Sequence, residues 1–173
     1  LKPEIFMRLG PILAAATLAT LVAACGKPQE DPAGTSADTA AAAPEAPKLS
    51  DAEKQAILAS YPAPYNTADL ANGKSRFALC QSCHTIAPGG ANMTGPNLHG
   101  VFGKKSASNP DFKYSDALKN AGWVWDANHL DQWLAKPQTY LPGTKMSFAG
   151  LKDAKDRTDL IAYLMVETGH KAQ

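Results

Sequence analysis

Apolar positions fall along this chain in three unlike patterns. From Leu9 to Ala24 they form one run, broken only by Gly10, Pro11 and two threonines, with Arg8 just ahead of it. From 26 to 48, Leu, Ile, Val and the aromatic residues are absent, and small, polar and proline residues fill the stretch. From about residue 50 onward, apolar residues recur at helical spacing between Gly- and Pro-rich loops, and no alternating stretch reads as a strand.

The third pattern resolves into short elements. Ser50 followed by Glu53 is a capping-box pattern with room for a short helix from Asp51 to Ser60. Tyr61-Pro62-Ala63-Pro64-Tyr65 must end it, because proline disfavours helix in the residue before it. Asn66 or Thr67 can cap a second helix that has Asp69 in its first turn. There Leu70, Gly73, Phe77 and Cys80 follow at steps of 3, 4 and 3 on one face. A glycine inside a helix costs up to about 1 kcal/mol against alanine, so Gly73 on that face predicts the close approach of another helix. Ser115 to Ala121 predicts a short helix closed by Gly122. Asp126 caps the next, which buries Leu130, Trp133 and Leu134 and halts at Pro137. The last runs from about Asp153 to Thr168, buries Leu160, Tyr163 and Leu164, and ends at Gly169. The expected fold class is all-α.

The chain divides accordingly. Residues 1–24 read as an export signal: a run this short falls below the ~20 apolar residues of a spanning helix and suits the hydrophobic core of a signal peptide. Met7-Arg8 would make a more conventional start than Leu1. The run closes in Leu21-Val22-Ala23-Ala24-Cys25-Gly26, which resembles the bacterial lipobox, where cleavage precedes a cysteine that then carries lipid. Residues 25–65 are the attachment cysteine and a flexible linker, since a segment so poor in apolar side chains cannot offset its ordering entropy. Residues 66–173 are the folded domain.

Charge narrows the partners. A net charge of +1 argues against a nucleic-acid binder. Three cysteines, an odd number, argue against a disulfide framework. Two of them stand in Cys80-Gln81-Ser82-Cys83-His84, the C-x-x-C-H spacing of covalent haem attachment. Thiols one turn apart can each add to a vinyl group of one porphyrin, and the adjacent histidine then lies under the iron as proximal ligand. The same five residues could serve as a thioredoxin-like redox pair or as half of a zinc site, though zinc would need further thiols, and the remaining cysteine is Cys25. Core size favours haem. A domain of about 108 residues with four helices and long loops has a thin core, which a buried porphyrin would fill. A second axial ligand could come from Met93, Met146, Met165, His99, His129 or His170; Met146 follows Pro142-Gly143, a tight loop able to hold a thioether at fixed distance.

Beyond the attachment motif, five further pieces fall in a familiar order. They are Gly73-x-x-x-Phe77, Thr94-Gly95-Pro96-Asn97-Leu98-His99-Gly100, Tyr140-Leu141-Pro142-Gly143-Thr144-Lys145-Met146, Phe148-Ala149-Gly150 and Asp159-Leu160-Ile161-Ala162-Tyr163-Leu164. With them the stretch 67–168 resembles the class I cytochromes c, close to the mitochondrial type and its bacterial relatives. The resemblance implies helices wrapped around one haem c held by Cys80 and Cys83, with His84 and Met146 as axial pair. It also implies that the Pro96 carbonyl accepts the free ring N–H of His84, that Tyr114 and Trp125 donate to a haem propionate, and that Gly73 and Phe77 cross Leu160 and Tyr163. His99 and His129 would be surface residues. The implied function is one-electron transport by a monomer, not enzymatic catalysis, from a quinol-oxidising cytochrome complex to a terminal oxidase. Lipidated Cys25 would hold the carrier at a membrane on the periplasmic side. A fixed redox subunit of a larger dehydrogenase or oxidase is the alternative; a haem peroxidase or gas sensor would need open iron, which Met146 argues against. Trp133 departs from the family's usual tyrosine, and Gln138 and Thr139 from two lysines of its docking face. Lys74, Lys104, Lys105 and Lys145 remain as basic candidates there, so partner attraction should be weaker.

Overall fold

The computed structural model describes residues 48–171. The expected export signal, Cys25 and the expected linker up to residue 47 lie outside the described residues. Six α-helices carry the described chain: α1 (Asp51–Ala59), α2 (Leu70–Phe77), α3 (Asp116–Asn120), α4 (Ala127–Ala135), α5 (Pro137–Tyr140) and α6 (Ala154–Glu167), with a 3-10 turn at Tyr65–Thr67. The only extended pairing among the described residues is an isolated bridge between Lys105 and Val124.

Helix α6 is the axis of the packing. Asp153 caps it by accepting the N–H of Asp156, and every residue from Asp159 to Val166 is buried. An amphipathic reading exposes one face of such a helix, but here partners arrive from several sides. Helix α2 crosses so closely that a Cβ on Gly73 would lie 2.7 Å from the Tyr163 Cβ and would collide with the Asp159 carbonyl. Phe77 packs on the Tyr163 ring at a centroid distance of 5.8 Å. On another side Arg157 reaches α4 and the loop before α6, donating to Asp131 at 2.7 Å and to the Leu151 and Lys152 carbonyls at 2.9 and 2.8 Å.

Helix α1 also packs here, so the packed body begins before residue 66, where the sequence places its boundary. Ser50 and Glu53 form the capping box, and Leu58 and Tyr61 are each 3% exposed. The Tyr61 hydroxyl donates to the His170 carbonyl at 2.7 Å, and Lys54 pairs with Glu167 at 2.6 Å. Leu58 and Tyr61 sit together at the C-terminal end of the segment, so no apolar stripe marks the helix in the sequence.

Two boundaries differ from expectation. Asp69 is the N-cap of α2, its carboxylate accepting the N–H groups of Ala71 and Asn72, because Asn66 and Thr67 are taken up in the 3-10 turn. Pro137 halts α4 and also opens α5 at its first position, where a missing N–H costs nothing.

Candidate functional site

After α2 the backbone continues in tight turns. The N–H of Cys80 donates to the Phe77 carbonyl at 2.8 Å, and those of Cys83 and His84 donate to the Cys80 carbonyl at 3.0 and 2.9 Å. One turn therefore presents two thiols and an imidazole together. Both thiols are free and half-buried. Burial, with Cys83 adding to it, pushes the Cys80 thiol up to about 11.

Two neighbours fix the His84 ring. Its Nδ1 lies 2.7 Å from the Pro96 carbonyl oxygen. A carbonyl can only accept, so Nδ1 carries the proton and Nε2 keeps a bare lone pair. Burial lowers the pKa of His84, with the Pro96 bond opposing it. The second neighbour is Gly95, whose N–H donates to the Cys83 carbonyl at 2.9 Å. A Cβ on Gly95 would lie 2.6 Å from both ring nitrogens, so only glycine lets this backbone lie against the imidazole.

Pro96 is held in turn by Asn97. The Asn97 amide donates to Thr85 Oγ1 at 2.6 Å and to the Ala87 carbonyl at 3.0 Å, while its oxygen accepts the N–H of His99 at 2.9 Å. Neither Gly95 nor Asn97 is assigned a role from the sequence. Their signal was the Gly-Pro-Asn run, which reads as a turn but does not reveal which side chain it braces.

Met146 belongs to the loop after α5. The N–H of Leu141 donates to the Pro137 carbonyl at 2.8 Å, and that of Thr144 to the Leu141 carbonyl at 3.2 Å. Lys145 Nζ reaches across to the carbonyls of Lys113 and Tyr114, each at 3.3 Å. The loop carrying Met146 is thereby joined to the segment carrying Tyr114. Burial pushes the Tyr114 hydroxyl up, with the Asn109 backbone pulling the other way. Trp125 is buried and meets Trp133 edge-on at 5.4 Å. Met146, Tyr114, Leu98 and Cys80 all pack, half-buried, against the main core.

The other candidate ligands sit elsewhere. Met93 is 47% exposed, and Met165 is buried within α6. His170 packs against Tyr61 and Phe102, with centroids 5.7 and 4.8 Å away. His129 bonds to Asp126 at 2.9 Å and stacks on Trp123. His99 is half-buried, and its Nδ1 has no partner among the described residues.

This donor set fits a covalently held haem: paired thiols on one turn, a neutral imidazole with Nε2 bare and its ring locked, and a thioether in a braced loop. The family model described as Cytochrome c matches residues 70–166. Cytochrome c of Theileria annulata is 55% identical over 97 residues, covering 56% of this chain and 84% of that protein. Cytochrome c2 of Blastochloris viridis is 44% identical over 108 residues, covering 62% of this chain and 85% of that protein. Among solved structures, cytochrome cH from Methylobacterium extorquens aligns with a TM-score of 0.53 at 45% identity, covering 56% of this chain and 97% of that one. Helix α1 lies ahead of the family match.

Proposed function

The chain belongs to the cytochrome c family, and on that premise we propose that it moves electrons from a quinol-oxidising cytochrome complex to a terminal oxidase. It is an electron carrier, not an enzyme, with one haem c attached through Cys80 and Cys83. The bound haem supplies a one-electron iron couple. The chain's own residues decide its ligands and its access.

In this reading His84 and Met146 are the axial pair. The observation that supports it is the 2.7 Å contact between His84 Nδ1 and the Pro96 carbonyl, which leaves the opposite ring nitrogen free to bind a metal. Tyr114 and Trp125 supply donors to a propionate. With His84 and Met146 both holding the iron, no open place would be left for a substrate, and the thioether would favour the reduced state. Met146→Ala is the test. Its reduction potential should fall, the Met–iron charge-transfer band should vanish and peroxide reactivity should appear. A variant that keeps both potential and band would assign the ligand to another residue.

The carrier works as a monomer on the periplasmic side of a membrane, tethered through lipid on Cys25. The support is the Leu21–Gly26 pattern. Mass spectrometry of the mature N-terminus should find Cys25 acylated and first in the chain; an unmodified Cys25 would remove the tether.

A further inference from the structure

We propose that Gln138 is a positioning residue for Met146, holding the ligand loop closed against release of the thioether; this rests on the reading of Met146 as axial ligand. Gln138 is the second residue of α5, and its side chain turns back along the loop that follows. Its amide nitrogen donates to the Thr144 carbonyl at 3.1 Å and to the Met146 carbonyl at 2.9 Å. A side-chain amide has two N–H groups, so both are spent on this one loop.

The two carbonyls bracket Lys145, and the Met146 N–H meets Thr144 Oγ1 at 3.3 Å. Lys145 itself leaves in another direction, to Lys113 and Tyr114. The three residues before and including the ligand are therefore pinned at two places, one of them Gln138. For Met146 to swing away, its backbone must rotate and give up the bond to Gln138. A lysine, the residue implied here for the mitochondrial type, is a flexible point charge that cannot offer two donors in a fixed plane. Glutamine exchanges a docking charge for a brace.

The brace acts on the open–closed equilibrium of the loop, so an exogenous ligand that competes with Met146 reads it directly. Imidazole binding to the oxidised holoprotein is followed by absorption, since it needs the loop open and its apparent affinity scales with the open fraction. Two hydrogen bonds of ordinary strength predict that Gln138→Ala binds imidazole about tenfold more tightly. Gln138→Glu keeps the size but turns both donors into an acceptor facing two carbonyls, and should bind at least as tightly as the alanine variant. Both variants should also show a lower reduction potential, because a loosened thioether favours the reduced state less than a held one. A residue that only contributed to folding would shift the denaturation midpoint and leave imidazole affinity alone. Affinities within twofold of the parent in both variants would overturn the proposal, as would a glutamate variant that behaves like the parent. Met146→Ala runs alongside. If it retains the charge-transfer band, the ligand assignment fails and takes this inference with it; if it loses the band while the Gln138 variants stay silent, the inference alone fails.

Discussion

Asp159, 1% exposed in the middle of α6, accepts the backbone N–H of Asp69 at 2.9 Å. Its other oxygen takes Asn72 at 2.7 Å and Lys155 at 2.6 Å. A single carboxylate thus ties the cap and first turn of α2 to the buried helix that α2 crosses.

Asp159→Ala should therefore cost about 3 kcal/mol, since it strands a backbone N–H and a side-chain amide in a partly buried junction. Burial works to raise the pKa of Asp159, but the bonds from Lys155, Asn72 and the Asp69 amide outweigh it and hold the value low. A folded value below the unfolded one of about 3.9 makes this contribution complete above that range and lost as pH falls through the folded value. Denaturant titrations should show a wide gap between parent and variant at neutral pH, closing in strong acid. A gap unchanged by acid would mean the carboxylate charge plays no part.

Gly95→Ala should disturb the iron without removing a ligand. The added Cβ meets the imidazole, so either the ring or the 95–97 backbone must move, and the Pro96 bond with it. The expected readout is an altered low-spin electron paramagnetic resonance signal and a changed potential in a protein that still carries haem. A spectrum identical to the parent would show that the glycine is a turn residue only.

How much of this was legible beforehand depends on how local each signal is. The Ser50–Glu53 and Asp126 caps could be read directly, because a cap is settled within three residues, and the helix starts near Ser115 and Asp153 were read with them. Asp69 was read as a first-turn residue and is the cap itself, two or three residues beyond the expected one, since nothing nearby announces that Tyr65–Thr67 coils into a 3-10 turn. Asp159 carries no mark of burial beside the charged residues that open α6; its partners on and before α2 are roughly 90 positions away in sequence. The attachment motif was legible because its chemistry requires fixed residue types at fixed spacing; the Met146 loop was singled out through the resemblance to the class I cytochromes c. Gln138 was legible only as a lost charge, its bonds being a property of how α5 turns.

Tyr61→Phe tests the role of α1. Losing the bond to the His170 carbonyl should lower stability by about 1 kcal/mol, or roughly 4 °C in Tm for a domain of this size, with no change in potential. Thermal melts of the holoprotein decide it. A shifted potential would connect α1 to the haem pocket itself.

Replacing Cys80 and Cys83 together with serine should leave the domain largely unfolded. Leu98, Tyr114 and Met146 are only half-buried against the core, so without the porphyrin there is little to close over them. Circular dichroism and protease sensitivity are the measurements. A cooperative melt with native helicity would show that the helices around α6 are sufficient alone.

The docking of α1 changes the geometry of the proposed tether. Counted from the sequence, the chain between Cys25 and residue 66 offers about 40 residues of spacer, a coil spanning roughly 35 Å. With α1 held on α6, a tether counted from Cys25 to Ser50 is about 24 residues, which as a flexible coil would span roughly 27 Å. The volume swept by the haem domain shrinks with the cube of that span. Its local concentration at a complex within reach therefore rises about twofold, while a complex beyond that radius falls out of range. With Cys25 as the proposed anchor, α1, whose cap the sequence shows but whose docking it does not, would act as the stop on a leash and favour near partners over distant ones without touching either.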